Sequence, residues 1–401
     1  MKEFFKDSQF SFQTLRLLGE TAWGAADIGE VLETIERIKD GDLESWCIEW
    51  TKTAERMDKF AQECYLDGNL ISAAEGYLRA SNYYRTAEFY LHENLEDKRI
   101  LELYDKSLEC FSFVMKLNNP VIEGIRIPYE GTSIPAHFYK VDGNVPRPTI
   151  IAITGFDGTK EEMYGLGMAA VKRGINCIAI EGPGQGEVVR KQNLFFRPDY
   201  EKVITPVVDY LISRKEVDSK NIILLGESFG GYLVERAAAF EHRIAACIAN
   251  TGVFDFTASK TSPDLPKEEL IKEITKNIDE VNMELRKSME ISNEMRWAFS
   301  HGMYVFGVKT PAEWLLKAQE YCIDGVYDKI KCPTLIIDCE NEDLLKGQPK
   351  KIYDLLTCPK EFMMFKAEEG AGAHCEVGGK LISNQRIFNW IQKIIIANTN
   401  S

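Results

Sequence analysis

A chain of 401 residues with 45% hydrophobic content is long enough to bury two ordinary cores or one elaborated one. Its formal net charge of −14, with no run of Lys and Arg, excludes a phosphate backbone as the expected partner. The polar start Met1-Lys-Glu-Phe-Phe-Lys-Asp-Ser8 is unlike a signal peptide and no apolar run approaches the ~20 residues of a membrane span, so a cytoplasmic protein without membrane or nucleic-acid partners is expected.

Ten cysteines lack any C-x-x-C pair and read as reduced thiols, so neither a zinc site nor another metal is expected. Residues 1–118 read as a helical N-terminal domain. Trp46, Trp50, Ala54, Met57 and Ala61 keep one helix face, Gly68-Asn69 breaks the pattern, and Tyr77, Ala80, Tyr84, Ala87 and Leu91 resume it. Such an aromatic stripe is expected to be core rather than a ligand box.

From Pro120 the periodicity changes, and residues 119–401 read as a second domain. Val121–Tyr129 and Ser133–Val141 alternate around Glu130-Gly131, the pattern of an antiparallel hairpin. Apolar runs at 149–154, 176–181, 222–226, 244–249, 334–338 and 361–366 then alternate with helical segments. That order predicts an α/β fold with a doubly wound, mostly parallel sheet and a site at the strand C-termini. Residues 255–328 form a charged helical insertion with Trp297, Phe299, Met303, Tyr304, Phe306 and Trp314. They predict either a cap over the site or ordinary crossover helices with an aromatic face.

The chemistry is carried by Gly226-Glu-Ser228-Phe-Gly230, a G-x-S-x-G pentapeptide between a β-branched apolar run and a helix-prone one. A serine on a strand-to-helix turn needs glycines two places either side, where side chains would meet neighbouring backbone. The partners should follow in the order nucleophile, acid, histidine. Of five histidines, His374 lies in the loop Glu369-Gly-Ala-Gly-Ala-His-Cys-Glu-Val-Gly-Gly379, after an apolar run and before a helix with a stripe of Ile387, Ile391, Ile394 and Ile395. His374 is therefore the expected base, whereas His92, His137, His242 and His301 read as structural or surface residues, with His301 a candidate for the substrate cleft.

The acid stays open. The strand ending at Asp338 is followed by Cys339-Glu-Asn-Glu-Asp343, and Glu342 and Asp343 are both candidates for the third member, with Asp255 after the preceding strand a further one. Donors for an oxyanion are expected from the amide of Phe229, next after the serine, and from Phe156 in the loop Gly155-Phe-Asp-Gly-Thr-Lys-Glu-Glu162, where Thr159 also reads as a helix N-cap.

Five pieces carry a family resemblance: Gly155–Glu162, Glu181-Gly-Pro-Gly-Gln-Gly-Glu187, Gly226-Glu-Ser-Phe-Gly-Gly231, Cys358-Pro-Lys360 and Glu369–Cys375, with Arg79-Ala-Ser-Asn-Tyr-Tyr-Arg85 in the helical region. The chain resembles the α/β-hydrolases of the branch containing dihydroxy-pseudooxynicotine hydrolase, the fungal polyketide-shortening hydrolases and the fermentation-respiration switch protein. The likeness covers most of residues 120–395, and G-P-G-Q-G-E is its most discriminating piece. It implies a helical N-terminal domain helping to close the site, often a homodimer, and hydrolysis without a cofactor of esters or of carbon–carbon bonds next to ketones. Relatives commonly read E-N-D where this chain reads Glu340-Asn341-Glu342-Asp343, so the acid does not carry over. A serine hydrolase of small or medium carbonyl compounds is the expected function. An acyl-peptidase or aminopeptidase, and a non-catalytic regulatory protein on the same scaffold, are the alternatives. If the N-terminal helices and the insertion cap the site, deleting residues 1–110 should give an insoluble or impaired protein. A soluble, fully active truncation would make them an independent appendage.

Overall fold

The computed structural model describes residues 4–118, 122–143, 145–257 and 267–399. Of the features named above, Pro120, Val121 and the 258–266 part of the insertion lie outside the described residues. Two compact units are present, one drawn from Met1–Ile122 and Asp279–Trp314, the other from Glu123–Ile278 and Leu315–Ser401.

The first unit is built of helices, among them Ser8–Glu20, Ile28–Ile35, Leu43–Leu66, Leu70–Glu88, Arg99–Leu117 and Asn293–Phe306. The first amides of a helix have no partner within it, and here carboxylates supply one: Asp7 accepts from Phe10 N, Asp27 from Gly29 N and Asp42 from Ser45 N, at 3.0, 2.9 and 2.9 Å. Gly68, at φ +78°, turns the chain between Leu43–Leu66 and Leu70–Glu88. The aromatic stripes face inward as core, with Trp46, Trp50, Tyr83 and Tyr84 buried, and Trp46 Nε1 donates to Thr86 O at 2.9 Å. His92 and His301 are also buried here, their Nδ1 atoms 3.0 Å apart, with His92 Nε2 2.8 Å from Glu88 Oε1.

The second unit holds the sheet. Its strands are β1 Ile122–Tyr129, β2 Thr132–Tyr139, β3 Arg147–Ile153, β4 Asn176–Ile180, β5 Val217–Glu227, β6 Ala246–Asn250, β7 Thr334–Cys339 and β8 Lys360–Phe365. They lie in the order β1-β2-β4-β3-β5-β6-β7-β8. β2 runs antiparallel to β4, and every pair from β4 to β8 is parallel. The central strands are near-continuous apolar runs because helices cover both faces, and Ile150–Ile153 and Ile222–Leu225 are buried. β3 sits between β4 and β5, so the chain leaves β3 to one side and returns on the other. Side chains at the C-terminal ends of β3 and β5 therefore flank the crevice that such a reversal opens. Between β6 and β7 the described chain is helical, with helices Lys267–Lys276, Ile278–Ile291, Asn293–Phe306 and Pro311–Ala318. Among the described residues no helix is long and apolar enough to cross a membrane.

The G-P-G-Q-G-E segment follows β4 and is built around a buried carboxylate. Glu181 Oε1 accepts from Lys160 N at 3.0 Å, while its Oε2 accepts from Glu187 N at 2.9 Å and from Lys160 Nζ at 3.1 Å. Burial works against the Lys160 ammonium, but Glu161 at 2.8 Å and Glu181 outweigh that cost and raise its pKa above the usual lysine value. Gly186 closes over this carboxylate at φ +38°, and a Cβ there would run into the Glu181 carboxyl group. Gly186→Ala is therefore expected to lower stability by about 2 kcal/mol or more, read by urea denaturation. An unchanged midpoint would mean that Glu181 is free to move aside.

Candidate active site

The serine stands on an elbow. β5 ends at Glu227, Ser228 takes φ +59°, and the helix Gly230–Ala238 starts two residues later. Ser228 N donates to Asn250 O of the neighbouring β6 at 2.5 Å, and Gly231 N donates to Ser228 O at 2.8 Å. The glycines are required by contact: a Cβ on Gly226 would strike the Gly230 carbonyl, and one on Gly230 would stand 2.8 Å from Thr154 O. A Cβ on Gly155 would stand 2.7 Å from Ser228 Cβ and 3.1 Å from Phe229 N. The end of β3 and the elbow thus touch backbone to backbone.

His374 and Glu342 are brought to this serine from the other end of the chain. His374 Nε2 is 2.8 Å from Ser228 Oγ, and His374 Nδ1 is 2.5 Å from Glu342 Oε2. The turn after β7 is closed by Glu342 N donating to Cys339 O at 3.1 Å, and it is tied to the histidine loop by Asn341 N donating to Gly372 O at 2.8 Å. Glu342 is buried and fully engaged, since its Oε1 accepts from Leu344 N and Leu345 N at 2.9 Å each and its Oε2 also accepts from Thr251 Oγ1 at 3.2 Å. Asp343, the next residue, is exposed. Asp255 is committed elsewhere: its carboxylate accepts from Thr257 N and Oγ1 at 2.9 and 2.7 Å and pairs with Lys267 Nζ at 3.0 Å. Of the three candidate acids, the structure brings Glu342 to His374.

Burial raises the cost of the Glu342 carboxylate, yet His374 and the Leu344 and Leu345 amides outweigh it and hold Glu342 below the usual glutamate value. Burial likewise opposes the His374 imidazolium. The Cys375 sulfur and the Glu342 carboxylate outweigh that too, so His374 titrates above the ordinary histidine range.

A second buried acid braces the loop. Glu376 accepts from Asn250 Nδ2 and Ser383 Oγ at 2.8 Å each, and Cys339 Sγ donates to it at 3.4 Å. It joins the ends of β6 and β7 to the histidine loop and the C-terminal helix, a role that no sequence pattern signalled. Burial pushes its pKa up.

Phe229 is fully buried at the elbow, and its ring lies 4.2 Å from Phe256, 5.1 Å from Phe196, 5.3 Å from Tyr321 and 6.5 Å from Phe156, centroid to centroid. The sequence singled out Phe156 and Phe229 for their amides; it missed this aromatic cluster, whose five members come from five separate segments. Phe156 follows Gly155, which is packed on the elbow, and Thr159 caps the turn Lys160–Met163 in a reciprocal bond pair with Glu162. Of the remaining histidines, His137 is buried on β2 and His242 is exposed. Among the described residues no group of three His, Cys, Asp or Glu is placed to hold a metal.

The model of the prolyl oligopeptidase family matches residues 169–303. Hydrolase LUC6 of Fusarium sp is 34% identical over 415 aligned positions, covering 98% of this chain and 98% of that protein. The chain belongs to the α/β-hydrolase family. The 20-hydroxy-prefusarin hydrolase FUS2 of Gibberella moniliformis is 32% identical to this hydrolase, covering 98% of its chain and 97% of the relative. The crystal structure of 2,6-dihydroxy-pseudo-oxynicotine hydrolase shares its fold at a TM-score of 0.76 and 22% identity, with 94% and 96% of the two chains covered.

The raised His374 pKa sets the sign of a pH dependence. A base must be neutral to accept a proton, so kcat/KM should be low at acid pH and rise through an ascending limb above the ordinary value of about 6.5. Glu342→Gln removes the carboxylate that favours the imidazolium. It should shift the limb to lower pH and cut turnover by roughly 10³- to 10⁴-fold, whereas Asp343→Asn, at an exposed position, should change turnover only a few-fold. Turnover-against-pH curves for both variants, with circular dichroism to confirm folding, check this. Near-normal turnover in Glu342→Gln would remove it from the site.

Proposed function

We propose that the enzyme is a serine hydrolase that cleaves an ester, or a carbon–carbon bond next to a ketone, in a small or medium carbonyl substrate. The observation that carries this reading is the continuous chain Glu342 Oε2, His374 Nδ1, His374 Nε2, Ser228 Oγ, with contacts of 2.5 and 2.8 Å. In that chain His374 Nε2 accepts the Ser228 proton as Oγ attacks the substrate carbonyl, and Glu342 holds the ring with Nδ1–H toward its carboxylate and stabilises the imidazolium. Charge on the carbonyl oxygen is met by the amides of Phe229 and Phe156, the first standing at the start of the helix Gly230–Ala238. His374 then returns the proton to the leaving group, an alkoxide or an enolate, and activates the water that releases the acid from Ser228. No cofactor enters these steps.

A small-molecule substrate is supported by the relative whose name assigns it 20-hydroxy-prefusarin, over 98% of the present chain. The match to the prolyl oligopeptidase family over residues 169–303 favours a second reading, cleavage of an acyl-peptide or an N-terminal residue.

The fluorophosphonate probe is expected to label the wild-type protein at Ser228 and to leave Ser228→Ala unlabelled. The variant should lose about 10³-fold or more of the turnover measured on p-nitrophenyl esters, β-diketones and aminoacyl nitroanilides. Full activity in Ser228→Ala would sink the serine assignment, and turnover of the nitroanilides alone would favour the peptidase reading.

A further inference from the structure

Gln185 stands out as a buried polar side chain, 1% exposed, that the reaction steps leave unused. Its Nε2 donates to Thr154 O at 2.7 Å and to Gly155 O at 3.0 Å, with Thr154 Oγ1 at 3.3 Å. Its Oε1 accepts from Gly182 N and from Tyr200 OH, both at 3.1 Å. Both ends of the amide are therefore in use, and the donor end is spent on the two backbone carbonyls that leave β3. The same backbone also meets the elbow: Gly230 packs on Thr154 O, and Gly155 packs on Ser228 Cβ and Phe229 N.

A trans peptide unit is planar, with its C=O and N–H on opposite sides. The carbonyl of Gly155 and the amide of Phe156 belong to one such unit, so fixing the first on Gln185 Nε2 aims the second the other way. We infer that Gln185 is a positioning residue, which holds the Gly155–Phe156 peptide with its N–H turned toward the oxyanion of the substrate. A free loop peptide can flip; one clamped by a buried amide whose own acceptor is anchored twice cannot turn without breaking bonds in a dry site. Glutamine fits because the position must donate to carbonyls and accept from an amide and a hydroxyl at once. An ionised glutamate would set a negative charge against two carbonyl oxygens. The glutamine of G-P-G-Q-G-E thereby acquires a role that its sequence position did not disclose.

The inference rests on the serine reading above, and the test separates the two. Gln185→Leu removes the clamp, and Gln185→Glu restores one donor only when its carboxyl is protonated. For Gln185→Leu, kcat on p-nitrophenyl butyrate should fall by about 10²-fold with KM changed by less than about threefold, and phosphonylation of Ser228 by the fluorophosphonate should slow in parallel. For Gln185→Glu, kcat relative to wild type should rise as the pH is lowered from about 8 to about 6, a ratio that a merely structural loss would leave flat. Values of kcat within about threefold of wild type in both variants, or a flat ratio for Gln185→Glu, would overturn the role of Gln185 while labelling at Ser228 stands. Should Gln185→Leu fail to fold, the pH ratio of Gln185→Glu decides alone. Absence of labelling in the wild-type protein would overturn the serine reading and this inference with it.

Discussion

The site depends on backbone approaching backbone where no Cβ can stand. At the C-terminal edge of the sheet, the ends of β3 and β5 meet through Gly155, Gly226 and Gly230, and each would collide with a neighbour if it carried a side chain. This closeness forces Ser228 into φ +59°, a conformation that costs a non-glycine residue on the order of 1 kcal/mol or more. The packed sheet beneath it supplies that cost: Ile153, Leu224 and Leu225 are buried, and Ser228 N is bonded to Asn250 O on β6. The strained turn lifts the hydroxyl off the sheet, where His374 can reach it.

Buried charge is the second constraint, and it is met by saturation. A carboxylate removed from water is tolerated when its lone pairs are filled by donors, and Glu342 takes bonds from His374, Thr251, Leu344 and Leu345. Glu181 and Lys160 follow the same rule beneath the Gly155 loop, and Glu376 does so beneath the histidine loop. These groups fasten loops that the sheet alone leaves unanchored. The Gly155 loop and the histidine loop are each held by a different buried acid or amide, and Ser228 Oγ, His374 and Glu342 lie within hydrogen-bond distance, one after the next.

Strands were legible where both faces are buried and the signal is a plain apolar run, as for β3, β4, β6 and β7. β5 begins earlier than its apolar run because Val217 pairs with Arg147 across a register shift, and Asp218, Ser219 and Lys220, half-buried or exposed, lie in between without an apolar signature. The hairpin was legible through Glu130-Gly131, whose positive φ values of +40° and +82° turn β1 into β2. Gln185 lies in the G-P-G-Q-G-E piece and Glu376 in the histidine loop, but the roles of both, and of the ring cluster around Phe229, depend on partners from other segments of the chain.

What the sequence determined by itself was everything set by short-range sterics and periodicity: a G-x-S-x-G turn between strand and helix, a histidine in a glycine-rich loop near the C-terminus, and strands alternating with helices. The tertiary structure decided what depends on direction. Glu342 and Asp343 carry the same functional group one position apart, and composition cannot tell them apart. The turn closed between Glu342 N and Cys339 O sends one side chain inward to His374 and leaves the other exposed, because successive side chains leave a tight turn in different directions. The order β4-β3-β5 is equally invisible in a list of strands, yet it opens the crevice that Ser228 and Gly155 flank.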